Sequence, residues 1–178
     1  MACGGISMTI ISGPKIEERK EQPYMGIRTR TPMSGMSKVV THLFKEMNAW
    51  TRKHNVKPAR APFLRFYVID MEGEMDIEAG IPVETPLNDD GWVTAGVLPA
   101  GRYASLIYTG SGLAGNKTLV EWAKTNQIAW DRWDNEKGDA FCSRYESYLT
   151  DPKIEPHKTK WEVEVAIKLA DDLNQAGQ

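Results

Sequence analysis

Glu146 is the residue of this sequence whose type and setting most suggest chemistry. It lies in the run Phe141-Cys142-Ser143-Arg144-Tyr145-Glu146-Ser147-Tyr148-Leu149-Thr150-Asp151-Pro152, flanked by tyrosines. The run reads as a strand, rich in aromatic and β-prone residues and stopped by Asp-Pro. A carboxylate inside a half-buried strand is costly unless it is paired, hydrogen-bonded or facing a ligand. Its alternative is a glutamate on the solvent face of an edge strand, where polar strand residues usually point. A desolvated glutamate also has a raised pKa, which suits a general acid or base.

Aromatic residues are the second constellation. The six tryptophans and six tyrosines include Trp92, Trp130, Trp133, Tyr67, Tyr108, Tyr145 and Tyr148, which are expected around a common cleft. Trp122 and Trp161 are read as core. Trp130 and Trp133 fall in a stretch read as loop, where a core role is less automatic. Aromatic walls suit planar or cationic apolar ligands, and a carboxylate on the floor favours positive charge.

Other chemistries find less support. Gly110-Ser111-Gly112-Leu113-Ala114-Gly115-Asn116-Lys117-Thr118 resembles a phosphate loop, but Asn116 separates the last glycine from the lysine. The glycines are therefore read as a flexible strand-to-helix connection. His42, His54 and His157 have no metal-ligand spacing, and Cys142 has no nearby cysteine partner. No Gly-x-Ser-x-Gly elbow is present. No metal and no cofactor are expected. The 22 basic and 24 acidic residues are intermixed, with a net charge of −2, which gives no electrostatic reason to expect nucleic-acid binding. No apolar run approaches a membrane span and no signal peptide is convincing, so a cytoplasmic location is expected.

The elements that must position these residues follow from periodicity. Residues 15–31 read as one irregular strand or two short ones. A helix is expected over residues 34–53, with Met36, Val40, Leu43, Phe44, Met47 and Trp50 on one stripe. Strands follow at 63–69 and 74–83, the second half-buried by alternation. Residues 93–109 read as strand broken at Pro99-Ala100-Gly101, and a helix is expected from 116 to 126. Residues 127–138 read as loop. Residues 161–169 are the cleanest amphipathic strand. Strand-helix-strand-strand therefore occurs twice, over about 14–84 and 92–169. Each half has one helix and cannot cover its sheet alone. The fold class expected is α+β, a tandem pseudo-twofold duplication of a β-α-β-β unit. Its antiparallel curved sheet carries two helices on one face, with a ligand cleft between them. Tyr67 is expected opposite Glu146 across that cleft. Residues 1–13 are expected to be a flexible segment, 14–169 a single domain, and 170–178 a frayed tail. The unpaired edges of an open sheet allow a homodimer.

These residues resemble the GyrI-like small-molecule-binding domain, the SOUL/GyrI-type fold of the effector-binding domains of multidrug-sensing transcription activators. The resemblance covers about residues 14–169. It is carried by the paired plan, by Glu78-Ala79-Gly80-Ile81-Pro82-Val83, by Leu98-Pro99-Ala100-Gly101-Arg102-Tyr103-Ala104, and most specifically by Tyr145-Glu146-Ser147-Tyr148-Leu149-Thr150-Asp151-Pro152. It implies that Glu146 stands on a pocket floor and contacts an apolar, aromatic and often cationic ligand. About a dozen residues precede the domain, so a complete transcription activator is not expected. Free-standing members of the family are drug-binding or sequestering proteins, gyrase-interacting proteins, or hydrolases of cyclopropane-containing DNA-alkylating natural products.

Two readings therefore share the same residues. In the first, Glu146, Tyr67, Tyr108, Tyr145, Tyr148, Trp92, Trp130 and Trp133 bind a drug-like compound. In the second, Glu146 is the general acid or base of a hydrolase, and Tyr67, Tyr108 or Tyr145 donates to the electron-accepting carbonyl. Tyr108 is the catalytic candidate among the three.

Overall fold

The computed structural model describes residues 7–172. Ten strands and two helices occur in the order β1 (Met8–Arg19), β2 (Gln22–Pro32), α1 (Met36–Lys53), β3 (Phe63–Ile69), β4 (Glu74–Pro82), β5 (Thr94–Leu98), β6 (Gly101–Gly110), α2 (Gly112–Thr125), β7 (Arg132–Asn135), β8 (Gly138–Phe141), β9 (Arg144–Tyr148) and β10 (Val163–Lys168). All ten strands belong to one antiparallel sheet ordered β1-β6-β10-β9-β3-β4-β2-β5, with the β7–β8 hairpin attached to β3.

That order is the duplication. β3-β4-β2-β5 forms one half and β9-β10-β6-β1 the other, and β3 joins β9 at the middle. The register at the junction pairs Phe63 with Ser147, Leu64 with Glu146 and Arg65 with Tyr145. The residue facing Glu146 is thus Leu64 rather than Tyr67. Since side chains alternate along a strand, Leu64 and Glu146 share one face while Arg65 and Tyr145 share the other.

α1 packs on its half through Leu43 and Met47, which meet Met25, Ile27, Ala79 and Ile81. α2 packs on the other half through Leu119, against Leu106, Tyr108, Val165 and Ile167. Burial of each such side chain contributes about 1.5–3 kcal/mol. The far face of the sheet is covered by its own large side chains. Tyr24 meets Phe63 edge-on at 4.9 Å, and Tyr145 lies beside Phe63 and Tyr103. Glycines make room there: a Cβ on Gly80 would enter the Phe63 ring, and one on Gly96 the Tyr24 ring.

Several elements differ from the sequence expectation. β4 is buried on both faces after Glu74, and β10 nearly so, because the far face is also packed. Lys168 is accordingly buried, and pairs with Asp131 at 3.0 Å and Asp171 at 3.2 Å. α2 begins at Gly112, four residues earlier than the helix read from residue 116. Ser111 caps it by accepting from the Ala114 N–H at 3.2 Å, so helix occupies most of the glycine-rich stretch. The stretch 127–138 contains β7 and the start of β8 rather than loop alone. The run 141–152 is not one strand: β8 ends at Phe141 and β9 starts at Arg144. Residues 8–13, expected to be flexible, contribute to β1 alongside β6. The remainder of the expected N-terminal segment up to residue 6, with Cys3, and residues 173–178 of the expected tail lie outside the described residues.

Candidate ligand-binding site

α1 and α2 lie on the same face of the sheet, with a cavity of about 1400 Å³ between them. Its floor comes from alternate residues of the middle strands: Leu64 and Phe66 of β3, Glu146 and Tyr148 of β9, and Tyr108 of β6. Met36, Val40 and Phe44 form the α1 wall, and Leu113 and Asn116 the α2 wall. Residues 149–153, Lys158 and Trp161 close one end. α1 therefore divides its apolar stripe. Leu43 and Met47 are buried in the core, while Met36, Val40 and Phe44 face the cavity.

Phe44 and Trp161 both pack edge-on to Tyr148, at 5.6 Å and 6.3 Å. The Trp161 indole N–H is anchored by the Glu155 carbonyl at 2.6 Å. Tyr108 is wedged under α2, where the helix has no side chain: a Cβ on Gly115 would come within 2.6 Å of the Tyr108 ring. The glycines of the 110–118 stretch thus admit an aromatic residue to the floor.

Glu146 sits deep in this cavity. One carboxylate oxygen accepts from Asn116 Nδ2 at 2.7 Å, and Asn116 Oδ1 accepts from Arg144 Nη2 at 2.9 Å. Asn116 Nδ2 also donates to the Gly112 carbonyl at 2.9 Å, which fixes its rotamer on the first turn of α2. Burial raises the Glu146 pKa, and Asn116, Arg144 and Tyr148 counteract part of that rise. Burial and the nearby Glu146 charge push the Tyr108 and Tyr148 phenols up, so both are neutral hydroxyls at ordinary pH.

Of the residues named from sequence, the structure brings Glu146, Tyr108 and Tyr148 together in the cavity. Tyr67 and Tyr145 are on the opposite face. Tyr67 donates to Glu78 at 2.7 Å and is stacked between Arg28 at 3.7 Å and Arg65 at 4.4 Å. Tyr145 accepts from Arg19 Nη1 at 2.8 Å. Trp133 lines a separate hollow of about 190 Å³ with Tyr67 and Arg28. Trp130 packs against the α2 core, and Trp92 is 73% exposed beyond the cavity wall. Trp161, read as core, packs against the α2 core and also stands in the cavity wall. Sequence reasoning also missed Asn116, Arg144, Phe44 and Phe66. Arg144 was detectable, because it is two residues before Glu146 and so on the same face of the strand.

The fold agrees with comparisons to known proteins. Residues 13–170 match the GyrI-like small molecule binding domain, and the chain belongs to that family. A comparison with curated proteins finds no match. Among solved structures, the C-terminal domain of EcmrR is similar with a TM-score of 0.61 at 17% identity, covering 94% of this chain and 99% of that one. EcmrR in its DNA complex gives a TM-score of 0.67 at 16% identity, covering 94% of this chain; this chain spans 58% of its length. A hydrolase from Listeria innocua gives 0.54 at 11% identity, covering 88% of this chain and 92% of that one. SAV2435 bound to tetraphenylphosphonium gives 0.54 at 9% identity, covering 88% and 93%. At these identities the likeness is one of fold.

Proposed function

We propose that the cavity between α1 and α2 binds an apolar aromatic compound bearing a cationic or hydrogen-bond-donating group, with Glu146 as its polar anchor. The observation that carries this reading is one carboxylate, Glu146, on a cavity floor shared with Leu64, Phe66, Tyr108 and Tyr148 and faced by Phe44 and Trp161. Water-poor surroundings strengthen a charge contact there, and ring faces add cation–π attraction. The tetraphenylphosphonium held by SAV2435 is a probe of this class. Titrated into the protein, it should quench tryptophan fluorescence saturably, and Glu146→Gln should weaken it about tenfold, the equivalent of ~1.4 kcal/mol. Equal affinity in the two proteins contradicts the reading.

The raised pKa of Glu146 beside Tyr108 favours a second reading, hydrolysis of a cyclopropane-containing alkylating compound. Glu146 takes a proton from water as the water oxygen bonds to a ring carbon. The ring C–C bond breaks, and its electron pair passes to the conjugated carbonyl oxygen, which accepts a hydrogen bond from the neutral Tyr108 hydroxyl and takes up a proton from water, while Glu146 returns its proton to the hydroxide so formed. Chromatography of such a compound incubated with wild-type protein should show the ring-opened hydrate, and Glu146→Gln should yield none. Turnover at the wild-type rate in that variant removes Glu146 as the base.

A further inference from the structure

The polar end of the cavity is not a lone anion. Arg144 lines the same cavity, on the same face of β9 as Glu146 and two residues away. The two side chains are separated by a single carboxamide, that of Asn116, which donates to Glu146 and accepts from Arg144. Among the described residues Arg144 makes no ion pair. Its guanidinium lies over the Phe141 ring, 4.8 Å from its centre, it spends Nη2 on a neutral amide, and its Nε–H is buried without a hydrogen-bond partner. A half-buried guanidinium with a buried, unpartnered N–H costs stability unless an acceptor meets it.

The charges around the rest of the cavity point the same way. Lys45, Arg52, Lys153 and Lys158 line it with Arg144, against Glu146 and Asp151 as the acidic residues. Among the described residues none of these four enters an ion pair; Lys158 lies over the Trp161 ring, 5.9 Å from its centre. A site built only for lipophilic cations would not carry this surplus of positive charge.

We propose that Arg144 is a second ligand anchor, and that the cavity selects amphoteric aromatic compounds: a cationic or donor group at Glu146 and a carboxylate or other acceptor oxygen at Arg144. Asn116 holds the two anchors apart and keeps them from collapsing into an internal salt bridge. The planar fork of arginine suits carboxylate recognition, and a hydrogen bond between ionised partners is about twice as strong as a neutral one. This inference rests on the cavity being a small-molecule site.

The test uses a matched dye pair, a rhodamine carboxylate that is zwitterionic at neutral pH and its methyl ester, a cation otherwise identical. Fluorescence anisotropy of the wild-type protein should give the carboxylate about tenfold tighter binding than the ester, as a charge-assisted contact implies. Arg144→Gln should abolish that preference, read as the ratio of carboxylate to ester affinity within the one variant, whatever the change in ester affinity itself. Arg144→Lys, which keeps the charge without the fork, should fall between the two. Equal binding of the dyes to wild-type protein overturns the proposal without depending on the folding of any variant. So does a preference retained in a folded Arg144→Gln protein. Ester binding that is sensitive to Glu146→Gln but not to Arg144→Gln, with no carboxylate preference, rejects the second anchor and leaves the cavity reading standing. Saturable binding of neither dye rejects both.

Discussion

Leu64 and Glu146 face each other across the β3–β9 junction, where the two halves of the sheet meet. One half places an apolar side chain on the cavity floor at this point and the other places a carboxylate. The duplication therefore builds a nearly symmetric frame around an asymmetric site. Glu146 contributes to the site at a cost to the fold, since burial disfavours its charged form.

That cost gives a signed pH dependence. The folded-state pKa of Glu146 is raised above its ordinary value of 4.5. Stability associated with its protonated form is fully present below the unfolded-state pKa and is lost as pH rises through the folded-state value. Glu146→Gln lacks this loss. The variant should therefore gain stability over wild-type as pH climbs from the ordinary carboxylate range, with the difference levelling off above the raised value. Urea denaturation at stepped pH measures it. A pH-independent difference contradicts the assignment. Binding of a cation should change in the opposite sense, strengthening as Glu146 ionises.

Gly115 lies in a helix, where replacement by alanine ordinarily stabilises by about 1 kcal/mol. Here the new Cβ would come within 2.6 Å of the Tyr108 ring. Gly115→Ala should instead destabilise by about 1–3 kcal/mol, the range for overpacking. A stability gain in chemical denaturation would show that Tyr108 is not held against α2.

Tyr67 lies on the far face of the sheet and does not line the cavity. Its hydroxyl donates to Glu78, which is buried and also receives the Tyr24 hydroxyl. Tyr67→Phe should cost about 1–2 kcal/mol of stability, through a lost bond to a buried carboxylate. Its affinity for tetraphenylphosphonium should stay at the wild-type value. Reduced affinity with unchanged stability would place Tyr67 in the ligand site.

The tryptophans offer a positional reporter. Trp161 lines the cavity, while Trp92 and Trp133 stand outside it. Ligand quenching should lose most of its amplitude in Trp161→Phe and keep it in Trp92→Phe and Trp133→Phe. Amplitude lost with Trp133 instead would move the ligand to the hollow beside Tyr67.

The paired architecture, the two helices and the carboxylate were legible because each leaves a local signature: repeated element order, a helical stripe, a charge inside an aromatic strand. Which tyrosines join Glu146 was only partly so. Tyr148 shares its parity on β9 and Tyr145 does not, which alternation alone could settle. Tyr67 lies on another strand, and its face depends on the pairing of Leu64 with Glu146, a long-range register that no local pattern encodes. Asn116 was obscured for a different reason. The glycines of its stretch read as loop, whereas Ser111 caps a helix there and Gly115 leaves room for Tyr108. Trp161 packs against the α2 core, as its place at the head of an alternating strand suggests, but β10 starts only at Val163, so the indole also reaches the cavity end.

The most direct test is to locate a bound ligand. Tetraphenylarsonium, an arsenic counterpart of the phosphonium, marks its own position by anomalous scattering from a crystal. The predicted peak lies between α1 and α2 over Glu146, with its rings against Phe44, Tyr148 and Trp161. A peak in the hollow formed by Arg28, Tyr67 and Trp133, with the α1–α2 cavity empty, would contradict the account.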